Sequence, residues 1–272
     1  MEPILNEFIS DLERVKGVLL LTDLIKQFSF TEKPNIDEAL LKESYFTSAH
    51  KLYNHGRGSH TGIAILPGTM LLYLAGRFEN YVKTIFEELC SIIAIKCCTF
   101  QNLPRTMKES ILKFTTEVIA NPRKYGHAEN GVATFIKHLN ENINENSVSN
   151  INSQCLSITY ENMRSDTLND LFERIGAKNI WDSIGQQTSM KKYFITHDPN
   201  QAKSEAIKFL NELMNLRNKI AHPSGNFSWP NTDTVIKQIE YLDGLAKGIH
   251  DYSIIYDIKI ANVVKEKIAV NS

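Results

Sequence analysis

Apolar residues recur at spacings of three and four along most of this 272-residue chain, a period that matches one face of an α-helix and no strand. The clearest run lies between about Pro67 and Cys98, where Leu71, Leu74, Phe78, Tyr81, Val82, Ile85, Leu89 and Ile92 hold the period throughout. Such a stripe must be covered by other helices. No sustained alternation of apolar and polar residues competes with it. The expected fold is therefore all-α, a helical bundle with residues 67–98 as its central helix.

Punctuation along the chain divides it further. Residues 3–28 read as an amphipathic helix closed by the Ser29–Pro34 region, and residues 36–54 as a more polar helix that stops at the glycine-containing segment "NHGRGSHTG". That segment is read as a loop and a boundary, giving an N-terminal helical extension (1–61) and a helical domain (62–272). Within the domain, residues 121–153 carry "NPRKYGHAENG" and the Asn-rich "NENINENSVSNINS", whose residues favour turns, so an irregular insertion is expected there. Later helices are expected over "SDTLNDLFERI", "NIWDSIGQ", "QAKSEAIKFLNELMNLRNKIA", started by Asn200, and "TDTVIKQIEYLDGLAKGI", with a separate helix in the tail 254–270. Trp181 and Trp229 fall in or beside apolar patterns and are expected to pack.

Charge and composition narrow the function classes. Thirty Lys and Arg against 31 Asp and Glu leave a net charge of −1, which excludes a polycation that coats nucleic acid and confines any such contact to a local patch. The apolar runs "VKGVLLLTDLI" and "CSIIAIKCC" fall short of the roughly 18 residues a membrane span needs, so none is expected. The opening "MEPILNEFISDLERVK" has early acidic residues and no basic-then-apolar leader, so no secretory signal is expected. Cys90, Cys97, Cys98 and Cys155 include an adjacent pair poorly placed for a disulfide framework; they read as buried free thiols in a reducing cytoplasm.

One helix carries a chemical anomaly. With Leu210 at zero and 100° per residue, Ala206, Ile207, Leu213, Met214 and Ala221 lie within about 60° of it, and Arg217 falls at about −20°, in the middle of that apolar stripe. A guanidinium there needs a partner: a carboxylate from a neighbouring helix, or a bound anion. Five residues on comes His222, and Pro223 after it disfavours helical angles at His222, which ends the helix at the negative end of its macrodipole. Five positions leave two side chains about 140° apart on an ideal helix. Arg217 and His222 converge only if the last turn opens or two subunits share one site.

The segment "LMNLRNKIAHPSG" resembles the signature of the HEPN superfamily, all-helical bundles marked by R-x-x-x-x-H near the end of a core helix. Arg217, Asn218 and His222 match it. "ILPGTMLLYLAGRFENYVKTIFEEL" and "LNDLFERIGAKNIW" resemble the first core helix and a middle segment of the RiboL-PSP branch, extending the similarity from about Gly62 to Ile249. The resemblance implies an endoribonuclease that requires neither metal nor other cofactor, usually a homodimer with its two motifs face to face. It also implies a setting among toxin-antitoxin, abortive-infection or antiphage systems, with an antitoxin or defence-system partner. Its alternative is a non-catalytic HEPN module that binds nucleotides or a partner protein.

The residue types suit the implied chemistry, in which His222 transfers the proton, Arg217 holds the phosphate and Asn218 orients His222 or that phosphate. Glu79 lies about 100° from Phe78 on the central helix, at the border of its apolar stripe, and is the candidate carboxylate for Arg217. Arg57, in the glycine-containing segment, and Lys191 and Lys192, beside Tyr193 and Phe194, are candidate RNA contacts. His50, His55 and His60 recur at five-residue intervals without a neighbouring carboxylate or cysteine, so no metal site is expected.

Overall fold

A computed structural model describes residues 1–32, 39, 42–126, 131–225 and 227–271. No strand occurs among them. The helices are α1 (Glu2–Phe30), α2 (Ser44–Gly58), α3 (His60–Ile63), α4 (Leu66–Cys97), α5 (Arg105–Ala120), α6 (Val132–Asn144), α7 (Ser153–Leu156), α8 (Ser165–Glu173), α9 (Ile180–Gln186), α10 (Thr188–Tyr193), α11 (Pro199–Ala221) and α12 (Thr232–Asn271).

The stripe at residues 67–98 becomes α4. Pro67 sits in its first turn, where the missing N–H costs nothing, and the helix ends where Cys98 turns to a positive φ of 61°. Leu71, Leu74, Phe78, Val82, Ile85, Phe86 and Leu89 are fully buried, because α1, α11 and α12 all pack against α4. By length and composition alone the stretch His60–Cys97 is apolar enough to cross a bilayer, unlike the shorter runs considered from sequence; its apolar side here is the core of the bundle. Buried tyrosines tie the helices through their hydroxyls. Tyr81 Oη donates to the Ala246 carbonyl at 2.8 Å and Tyr241 Oη to that of Ala206 at 2.7 Å, so neither buried hydroxyl is left unpaired.

Helix α1 belongs to the same core. Its Leu5, Phe8, Leu12 and Val15 join the residues buried around α4, and Phe8 stacks on Tyr81 with centroids 4.9 Å apart. Arg77 of α4 donates to the buried Asp11 at 2.5 Å and to Glu7 at 2.7 Å, and this pairing raises its pKa.

Several boundaries differ from expectation. The segment around "NHGRGSHTG" is helical: α2 runs through Gly56 to Gly58 and α3 follows at once. The reason is tertiary, because α2 lies so close on α1 that a Cβ at Gly56 would sit 1.8 Å from Ser29 Oγ. Packing overrides glycine's low helix propensity. Most of the expected 36–43 portion of this helix lies outside the described residues. Residues 121–153 contain α6, whose Phe135 closes a small second cluster with Phe114, Val118, Cys155 and Ile158. Helix α11 is capped two residues before Asn200, where Asp198 accepts from the Asn200 N–H at 2.9 Å and Pro199 fills the first turn. The tail continues α12 without a break. No disulfide joins Cys90, Cys97, Cys98 and Cys155, and Cys98 is exposed rather than buried because α4 ends there.

Candidate functional site

Helix α11 presents the R-x-x-x-x-H residues at its C-terminal end. Its buried face, Ala202, Ala206, Leu210, Leu213, Met214 and Ile220, seats it against α4 and α9. As Pro223 requires, the helix stops at Ala221: His222 takes φ −131° and ψ 66°, and its N–H still reaches the Asn218 carbonyl at 3.0 Å. The imidazole stands exposed at the helix end. The chain then folds back, with Trp229 against Gly68 at the start of α4 and Thr232 Oγ1 donating to Asp23 at 2.8 Å. Trp181 is buried, and its indole N–H donates to the Ser165 carbonyl at 3.0 Å. Both tryptophans pack, as expected.

Arg217 is half-buried. Its Nη1 donates to Asn218 Oδ1 at 3.1 Å, and no carboxylate among the described residues pairs with it. The same Asn218 oxygen accepts from Asn162 Nδ2 at 2.7 Å. Asn218 thus holds Arg217 through its side chain and meets His222 only through its backbone carbonyl. Asn162 is a residue that sequence reasoning missed. A signal for it existed in α11, where Asn211, Asn215 and Asn218 form a polar stripe at i, i+4 and i+7. That stripe receives the segment before α8: Arg164 Nη2 donates to Asn215 Oδ1 at 2.8 Å and the Ser165 N–H to Asn211 Oδ1 at 3.1 Å.

The expected Glu79–Arg217 pair is not formed. Glu79 Oε1 accepts from Lys83 Nζ at 2.6 Å and from Thr159 Oγ1 at 3.3 Å. Lys83 lies one turn along the same helix, the favoured i, i+4 geometry, and so captures the carboxylate. Glu79 nevertheless lines a cleft of about 680 Å3 that also takes in Asn162, which places it near the motif without touching Arg217.

The candidate RNA contacts are spread apart. Arg57 is on helix α2, not in a loop, and donates to Tyr53 Oη at 3.0 Å. Lys191 and Lys192 lie on α10, and the aromatic rings beside them are engaged: Tyr193 and Phe194 pack edge-on against Phe209 at 5.8 and 6.2 Å. Phe209 precedes His222 by about 20 Å of helix rise. The lysines therefore sit toward the other end of α11, and those aromatics serve packing before stacking.

An arginine held by an amide and free of carboxylates can receive an oxyanion through its remaining N–H donors. The exposed imidazole of His222, at the same helix end, is a group of the type that transfers protons near neutral pH. A family model described as RiboL-PSP-HEPN matches residues 21–254, from within α1 to within α12. Comparison with curated proteins and with solved structures found no match.

Proposed function

Because this chain belongs to the RiboL-PSP-HEPN family, whose members point to a nuclease-like or RNA-related role, we propose that it is a metal-independent endoribonuclease. The observation that carries this reading is Arg217, half-buried, held by Asn218 and free of any carboxylate among the described residues. The chemistry follows from the groups present. A base removes the proton of a ribose 2'-OH, and the oxygen attacks the adjacent phosphorus. The P–O5' bond breaks, and the departing oxygen takes a proton. The products are a 2',3'-cyclic phosphate and a 5'-OH. Arg217 supports the charge on the phosphoryl oxygens, and His222 moves the proton.

Two copies of the chain, each giving one Arg217 and one His222, would supply the separate acid and base that this sequence of steps uses. The reading accordingly includes a homodimer with a composite site, acting in the cytoplasm as a toxin or antiphage effector under the control of a partner protein.

The test is cleavage of total RNA in EDTA by the native chain, Arg217→Ala and His222→Ala, each first shown to be equally folded and in the same oligomeric state. Cleavage by the native chain with cyclic-phosphate ends is expected, together with a loss of about 10²- to 10⁴-fold in rate for His222→Ala. Equal cleavage by all three proteins would overturn the assignment.

A further inference from the structure

The cleft that adjoins Asn162 contains an aromatic ring in an unusual state. Tyr160 is 56% exposed, yet its hydroxyl donates to Glu117 Oε2 at 2.6 Å. Tyr125 donates to the other oxygen of the same carboxylate. The two rings meet edge to face with centroids 6.2 Å apart, and the Lys124 ammonium lies 4.9 Å from one centroid and 5.6 Å from the other. Tyr160 is therefore fixed at its tip by a hydrogen bond and at its edge by a second ring, while much of its surface faces water. Nothing in the apolar core explains it. A ring ordered in advance loses little freedom when a second flat group stacks on it.

The walls say what that group is. Glu79, Lys83 and Glu87 form a stripe at i, i+4 and i+8 along α4, and Glu161 lines the same cleft. Glu79 Oε1 is engaged by Lys83 and Thr159, and Glu87 Oε1 by Ser157, so each carboxylate keeps a second oxygen for an incoming donor. Three carboxylates against Lys83 and Lys124 make the cleft a poor place for a phosphate and a good one for N–H groups. A nucleobase is a flat ring that bears N–H donors and stacks on aromatic side chains. The position agrees, because Tyr160, Glu161 and Asn162 are consecutive and Asn162 bonds to the amide that holds Arg217. Two residues span at most about 7 Å, within reach of a nucleotide neighbouring the one at Arg217.

We propose that this cleft is a nucleobase subsite: Tyr160 stacks the base of the nucleotide adjoining the scissile phosphate, Glu79 and Glu87 accept from its N–H groups, and Lys124 at the rim meets its backbone. The inference rests on the ribonuclease reading for the identity of the neighbouring group, and it adds that the site selects single-stranded RNA with an unstacked base.

The test uses a fluorescein-labelled, fully 2'-O-methylated single-stranded oligonucleotide, which lacks the attacking hydroxyl and stays intact, and an abasic oligonucleotide with the same backbone. Fluorescence anisotropy with the full chain is expected to show tighter binding of the base-bearing probe. Tyr160→Ala is expected to weaken that probe by about tenfold or more while leaving the abasic probe almost unchanged, and Tyr160→Phe to stay within about threefold of native. Equal binding of the two probes by the native chain overturns the subsite without recourse to any variant, as does an unchanged affinity in a folded Tyr160→Ala protein. If the subsite falls while His222-dependent cleavage is observed, the ribonuclease reading stands. Tyr160-dependent binding with no cleavage would instead uphold the subsite and remove the ribonuclease reading.

Discussion

Asn162 and Arg217 share one acceptor: Asn218 Oδ1 receives Asn162 Nδ2 at 2.7 Å and Arg217 Nη1 at 3.1 Å. The segment before α8 thereby sets the direction of an arginine on α11, although the two are far apart in the chain. Asn162→Ala should free the Asn218 amide to rotate and lower kcat/KM for RNA by about two- to tenfold, the equivalent of one net hydrogen bond. Because all three groups are only partly buried, the melting temperature should hardly move. An unchanged kcat/KM would show that Asn162 does not position the arginine.

The seat of α11 on α9 depends on Gly185. A Cβ there would lie 2.5 Å from the Pro199 carbonyl oxygen and 3.1 Å from the Lys203 nitrogen, and backbone cannot yield as a flexible side chain does. Gly185→Ala should cost about 1–3 kcal/mol in urea unfolding, in the range of overpacked cores. Gly62→Ala, in α3 with nothing within 4 Å, is the control and should leave stability unchanged or raise it by up to about 1 kcal/mol.

Glu117 links the tyrosine pair to pH. Hydrogen bonds from Tyr125 and then Tyr160 hold its carboxyl below the usual carboxylate range. A depressed folded-state pKa contributes stability above the unfolded value and loses it as pH falls through the folded value. Acidification below about pH 4 should therefore release Tyr160. The tyrosine ring signals in NMR should shift in the native chain over that window, and in Glu117→Gln the same shift should be missing.

The thiols should divide by exposure. Cys98 is exposed, whereas Cys90, Cys97 and Cys155 are buried. Burial pushes the Cys90 thiol well up and that of Cys155 to about 12, which suppresses the reactive thiolate. An aromatic disulfide reagent at neutral pH should titrate one thiol in the folded chain and all four in guanidinium. More than one fast thiol would contradict the buried placement of the others.

The all-α fold was legible because α4, α11 and α12 each carry long apolar stripes whose period no other structure satisfies. The end of α11 was legible for a local reason: Pro223 dictates it whatever surrounds it. Helix boundaries were less so where tertiary contact outweighed propensity. Gly56 looks like a loop residue, and it is helical because α1 approaches too closely for any side chain. Residues 254–270 look like a separate helix, and they continue α12 because nothing in between forces a break.

At the candidate site, Arg217 and His222 were singled out by an arginine within an apolar stripe and a histidine at the helix end, and Asn218 by the resemblance to the HEPN signature. Their partners were not. Glu79 was a reasonable carboxylate for Arg217 on a helical wheel, but the wheel cannot show that Lys83, one turn away, captures it first. Asn162 and Tyr160 carry no local anomaly and become notable only beside Asn218 and Glu117. Sequence by itself thus determined the all-α class, the long apolar stripes of α4 and α11 and the helix end that exposes His222, because periodicity and proline act over a few residues. The tertiary structure decided which polar groups meet, because hydrogen-bond partners are chosen among groups that only packing brings within about 3 Å.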